Sequence, residues 1–239
     1  MTVPRILGAL VPLVLLVPVA AVVDTAAAAT ETAVSITGKP KLGIYHDDIG
    51  PDTADVVRHR GRLTTADGDP VDGASVHLQR KLAGGEWLTF DDDAVTDADG
   101  RYEFTSFIEG NAAYRVSYDG DDVYAPAVSA PEHLKAMRDF NAQLVEKDEK
   151  AVLKGNINPG WDNRTVAWLK KTCRSCRWKT VATAKSGDHG SWRFEAGYPP
   201  VGEKWYFHAV VAKTSDFAKS YSARLITTTT PSRSAAARD

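Results

Sequence analysis

The chain is short of the residues that carry most enzyme chemistry. It has two cysteines and two methionines among 239 residues. Its histidines, His46, His59, His77, His133, His189 and His208, are scattered, with no H-x-H or H-E-x-x-H spacing. No G-x-S-x-G elbow and no phosphate-binding glycine loop occurs. The motif-borne hydrolases, metallopeptidases and nucleotide-binding enzymes are therefore excluded, and the chain reads as a non-enzyme. A Ser-His-Asp set assembled only in space would leave no such motif. Net charge is -2, and the basic excess of the second half is modest, which argues against a nucleic-acid partner. Long apolar runs are missing after the first two dozen residues, so nothing remains there to insert into a membrane.

What those first residues hold is a targeting pattern. Arg5 gives a positive start, and Ile6 to Val23 is apolar except for breaks at Gly8, Pro12 and Pro18. Ala26-Ala27-Ala28-Ala29 then offers the small side chains that a signal peptidase reads. The expectation is a signal peptide over 1–29, cleaved after Ala29, and a secreted, extracellular protein. An uncleaved anchor would need roughly 18 apolar residues, about what the run holds. The prolines and the alanine-rich exit favour cleavage instead. No cysteine follows the run, so a lipid anchor is excluded. At the other end, Thr227 to Asp239 is rich in Thr, Ser, Ala and Arg, and 228–239 reads as a disordered tail.

Between these ends the sequence repeats itself. Val76-His77-Leu78-Gln79-Arg80-Lys81 matches Val166-Ala167-Trp168-Leu169-Lys170-Lys171, and Gly100-Arg101-Tyr102-Glu103-Phe104 matches Gly190-Ser191-Trp192-Arg193-Phe194. Trp87 corresponds to Trp178, and Asp122 through Ser129 to Ser215 through Ser222. A unit of about 90 residues is long enough to bury its own core. Two domains are expected, over 30–140 and 141–227. They differ in charge: residues 30–138 carry 20 acidic against 11 basic side chains, and 139–239 carry 10 against 17. An acidic and a basic domain could attract each other, or join two chains head to tail. Drift of solvated surface charge would give the same totals.

Period-two alternation dominates both copies. Val76 and Leu78, Tyr102 and Phe104, and Tyr114, Val116 and Tyr118 in the first copy point one way along their strands; Phe207, Ala209 and Val211 do so in the second. Turn residues, among them Asp67-Gly68-Asp69-Pro70, Asp99-Gly100 and Asp119-Gly120, separate the runs every ten residues or so. Short strands at even spacing predict an all-β sandwich or barrel. From Pro131 to Leu144 the pattern is ambiguous, because Leu134, Met137 and Phe140 recur every three residues. Comparison with the end of the second copy makes this stretch a last strand followed by a linker.

The run Gly61-Arg62-Leu63-Thr64, the turn Pro70-Val71-Asp72-Gly73-Ala74, Trp87, the segment Val95 to Phe104 and the closing Tyr114, Gly120-Asp121, Tyr124-Ala125-Pro126 and Ser129 resemble bacterial Ig-like domains. The Pro-Val-x-Gly-Ala opening is also similar to carboxypeptidase-regulatory-like sandwiches. The second copy departs there, with Asn158-Pro159-Gly160-Trp161-Asp162-Asn163 in place of the turn. The resemblance implies two tandem Ig-like antiparallel β-sandwiches, as found in secreted and surface proteins of Gram-positive bacteria. It implies a spacer, adhesion or accessory binding role at the cell envelope and no catalytic residues.

Three groups of side chains are candidates for a site. Cys173 and Cys176 form a lone C-x-x-C with no βαβ pattern around it, so a disulfide closing a hairpin is expected rather than a zinc or redox site. Lys171, Arg174, Arg177 and Lys179 surround it and make a basic tip suited to an anionic partner such as a cell-wall glycan. Trp161, in a Pro-Gly-Trp loop, could stack on sugar beside that tip, giving a carbohydrate- or wall-polymer-binding alternative. Asp97, Asp99, Asp119 and Asp121 lie in Asp-rich turns that could hold calcium at a sandwich end; no other cofactor is expected. The EF-hand pattern fails, and aspartates serve turns equally well. The partner is thus an unidentified protein or a cell-wall glycan.

Overall fold

The computed structural model describes residues 28–37, 42–45, 56–147 and 150–229. Apart from Ala28 and Ala29 the expected signal peptide lies outside them, as do His46 and the expected tail beyond Thr229. The first copy forms β1 (Thr32–Thr37), β2 (Leu42–Ile44), β3 (Val57–Thr65), β4 (Ser75–Leu82), β5 (Leu88–Val95), β6 (Arg101–Ser106), β7 (Ala112–Tyr118), β8 (Ala127–Val128) and β9 (Glu132–Met137). The second forms β10 (Asp139–Lys147), β11 (Lys150–Asn158), β12 (Thr165–Lys171), β13 (Lys179–Lys185), β14 (Trp192–Glu195), β15 (Lys204–Val211), β16 (Ser220–Tyr221) and β17 (Leu225–Thr228).

Each copy folds into two sheets. The first pairs β1-β3-β6 in one sheet and β2-β9-β7-β4-β5 in the other, with β8 also on β7. The second pairs β10-β11-β14 and β13-β12-β15-β16, with β17 also on β15. Strand for strand the second repeats the first, lacking only β2, which runs parallel to β9. Alternation drives the layering: along β6, Tyr102, Phe104 and Ser106 are buried and Arg101, Glu103 and Thr105 exposed. Two separate clusters of buried side chains result. Leu63, Val76, Leu78, Tyr114 and Val116 centre the first; Leu153, Ile157, Trp168, Trp192 and Phe207 centre the second. The chain is all-β, two Ig-like antiparallel sandwiches in tandem.

The repeat extends to single hydrogen bonds. Ser129 Oγ accepts the Val116 amide at 3.0 Å, and Ser222 Oγ accepts the Ala209 amide at 2.9 Å. Thr96 Oγ1 donates to Val71 O and accepts the Ala74 amide; Ser186 Oγ does the same with Trp161 O and the Arg164 amide. Each hydroxyl satisfies a buried main-chain group where the strands leave the ladder. Gly100 and Gly190 also correspond. Both have positive φ, 73° and 65°, and a Cβ there would lie 2.4 Å from Leu63 O and 2.3 Å from Ile157 O respectively. Only glycine satisfies both conditions.

The join between the copies differs from the expected strand plus linker. β9 ends at Met137 and β10 begins at Asp139, so Arg138 alone intervenes. Phe140, placed with the first copy by the sequence, packs in the second core. Arg138 is buried. Its guanidinium lies 4.2 Å from the Phe217 ring centre and 4.8 Å from that of Trp161, and its Nε donates to Pro159 O at 3.0 Å. Burial, then the charge of Arg164, lowers its pKa to about 10, still well above neutral pH. Around it the Ala218 amide donates to Ala136 O at 2.7 Å and the Asn111 amide to Asp216 O at 2.6 Å. Phe217, from the second copy, packs into the first core.

Candidate functional site

The structure removes Trp161 from any sugar-binding surface. Its side chain is 4% exposed, and Nε1 donates to Thr165 O at 3.2 Å. It stands where Val71, also buried, stands in the first copy, with the Arg138 and Arg164 guanidiniums against its ring. The Pro-Gly-Trp loop turns inward because the first sandwich needs an apolar side chain at that place too. Two other aromatics of the second copy differ: Tyr198 is 36% exposed, and Trp205 is half-buried with the Lys170 ammonium over its ring.

The four candidate calcium ligands do not converge. Asp97 Oδ1 accepts the Asp99 and Arg101 amides at 3.0 and 2.8 Å, closing its own turn. Asp99 pairs with Arg101, and Asp119 lies 3.5 Å from His77 Nε2. Asp121 accepts the Val123 and Tyr124 amides and the Tyr118 hydroxyl, and these bonds lower its pKa. Among the described residues no group of three His, Cys, Asp or Glu side chains is placed to hold a metal ion.

One His–Ser contact resembles a fragment of catalytic machinery: His59 Nε2 lies 2.9 Å from Ser106 Oγ. Both residues are buried, and the imidazole packs 4.3 Å from the Tyr114 ring. Burial pushes the His59 pKa down to about 4, so it is neutral near pH 7. The contact belongs to the core of the first sandwich.

Cys173 and Cys176 are joined in a disulfide, with Cα atoms 5.1 Å apart, in the β12–β13 connection. The tip there is part of a larger surface. Strand parity sends Lys171 of β12 and Tyr206 and His208 of β15 to the outer face of their sheet, opposite Phe207 and Ala209. Lys171 Nζ donates to Arg174 O and lies 4.9 Å from the Trp178 ring centre and 5.5 Å from that of Tyr206. Arg224 lies 5.8 Å from the same tyrosine ring. Trp178 packs on His208 at 4.4 Å, and Lys219 lies 5.3 Å from Tyr221, which is 46% exposed. Cations and rings thus alternate across the face. Burial, and then the charges of Arg224 and Lys171, lower the His208 pKa against the pull of its bond to Ser222 O.

Among the described residues, Lys171, Arg174, Arg177, Lys179, Lys219 and Arg224 form no ion pair. In the first sandwich, Arg58 and Arg60 pair with Glu103, Arg80 with Glu109 and Arg101 with Asp99. There Trp87, the counterpart of Trp178, is covered by the Arg115 guanidinium at 4.1 Å. The basic tip was legible in the sequence. Tyr206, Tyr221, Lys219 and Arg224 were missed, although the inward set Phe207, Ala209 and Val211 already assigns Tyr206 and His208 to the outside.

No protein-family model matches the chain, and no curated protein is similar to it in sequence. Solved structures are similar in fold. A tetra-tandem repeat from the extending region of a large adhesion protein is 20% identical, with a TM-score of 0.35, over 83% of this chain and 49% of that one. This chain therefore spans about half the length of that relative. A two-domain fibronectin type-III segment of chicken tenascin is 10% identical, with a TM-score of 0.43, over 74% of this chain and 95% of that one. The chicken interferon gamma receptor alpha chain is 9% identical, with a TM-score of 0.43, over 73% and 93%. At such identities the likeness concerns fold alone. Among the described residues no helix is long and apolar enough to cross a membrane.

Proposed function

We propose that the protein is an exported, non-catalytic pair of Ig-like sandwiches that acts as a structural, adhesion or binding module at the cell envelope of a Gram-positive bacterium. The observation that carries this reading is the junction. Two repeated sandwiches meet across one residue, and Arg138, Phe217 and Asn111 tie each to the other. A one-residue join with Phe217 of one sandwich in the core of the other supports a fixed distance and orientation between two surfaces. The buried His59–Ser106 pair packs in the core of the first sandwich, and the exposed basic charge that forms no ion pair among the described residues lies on a sheet face rather than in a cleft. Both support the reading of a binding surface on a rigid support.

The test is expression of the full chain in a Gram-positive host, followed by fractionation and N-terminal sequencing. The protein should be recovered outside the cytoplasm, beginning at Thr30. Recovery from the cytoplasm with Met1 or Thr2 at its start would overturn the reading.

A further inference from the structure

The cation-aromatic face of the second sandwich runs from Lys219 and Tyr221, beside the junction, to Lys171, Arg174 and Trp178 at the end farthest from it. Chain direction fixes this. β9 runs into the junction and β10 away from it; the β11–β12 connection returns to Arg138, so the β12–β13 hairpin points outward. From Lys170 to Lys179, across the hairpin tip, the chain carries five lysines and arginines and no carboxylate.

The same argument places three connections of the first sandwich at the opposite end, because the β6–β7 connection, with Asn111, contacts the second copy. Connections 66–74, 96–100 and 119–126 hold eight aspartates and no lysine or arginine. All eight aspartates are exposed, and one of them, Asp99, is paired with Arg101. Val123, 59% exposed, stands among them and offers an apolar contact to a ring. One end of the molecule is thus acidic, the other carries the basic hairpin tip with Glu203 near Lys170 as a carboxylate at that end, and the two ends cannot meet within one chain.

We infer that the face built on Lys171, Trp178, Tyr206 and Arg224 docks the acidic end of a second copy of this chain. This rests on the reading of the chain as a binding module and names its partner. The contact joins unlike surfaces, so each copy keeps one end free and assembly continues head to tail into a ring or an open filament. Like ends repel, which sets the polarity. The charge is surface charge, so the contact weakens once salt shortens the screening length well below about 8 Å.

The test uses the chain from Thr30 to Asp239 in sedimentation velocity. Wild type should associate beyond a dimer at low salt, with affinity falling by about tenfold or more in high salt. Lys171→Glu with Arg174→Glu and Arg224→Glu makes both ends acidic. Asp69→Lys with Asp119→Lys and Asp122→Lys makes both basic. Each triple variant alone should be monomeric, and an equimolar mixture should associate again. Circular dichroism melts confirm that both variants are folded; if either is not, the salt dependence of the wild type decides. A wild type monomeric at low salt, or a folded mixture that stays monomeric, overturns the proposal. So does a monomeric wild type that sediments with polygalacturonate, which would make the face a polyanion site. Export from the cell is read separately, so failure of either reading is distinguishable from failure of the other.

Discussion

Arg138 is the residue on which the account of the junction depends. A cation between two aromatic rings, largely desolvated, is worth on the order of 2 kcal/mol. Arg138→Ala should cost about that and loosen the join, while Arg138→Lys keeps the charge but not the Nε bond to Pro159 O. Thermal unfolding of the three proteins checks the order. Trp161→Ala should lower the stability of the second sandwich by about 3–5 kcal/mol, because it empties a core position. An unchanged melting curve would contradict its burial. His59 gives a pH dependence with a definite sign. Its folded pKa, about 4, lies below the unfolded value near 6.5, so folding holds it neutral. That contribution is complete above pH 6.5 and is lost as pH falls towards 4, by roughly 2–3 kcal/mol. His59→Gln should flatten that part of the profile in denaturant titrations between those pH values. Trp161 was misread from sequence because proline and glycine mark exposed turns, while Val71 in the matching turn already indicated an inward position.

At the scale of elements, alternation made the strands legible, and it continues where it was not recognised. Leu134, Ala136, Arg138 and Phe140 are buried in strict period two. In the sequence a buried arginine hides that pattern, and Leu134, Met137 and Phe140 imitate a period of three. Only the ring contacts explain why a charge stands inside. The register shifts in β4–β5 between His77 and Gln79, and in β12–β13 between Trp168 and Leu169, left no sequence signal. They arise where edge strands twist away from the ladder. The β12–β13 disulfide closes a very short loop, so reducing it should lower the second sandwich by only about 2 kcal/mol. Calorimetry with and without reductant measures this, and the transition of the first sandwich should not move.

For the whole molecule, the repeat predicted two cores, and their strand-for-strand equivalence follows from it. The placement of charge at opposite ends did not, because totals per domain contain no direction until the topology assigns each turn to an end. Phe104→Ala should lower the first sandwich by about 3–5 kcal/mol and Phe194→Ala, half-buried, the second by less. Phe217 crosses into the first core, so the two calorimetric transitions should lie closer together in wild type than in Arg138→Ala. The most direct test of the central claim, two repeated sandwiches joined across one residue and held by Arg138, Phe217 and Asn111, is residual dipolar coupling of the chain from Thr30 to Asp239 in a weakly aligned medium. A single alignment tensor fitting the amides of both sandwiches is the predicted result. Two tensors of different magnitude would show that the sandwiches move independently, and would contradict it.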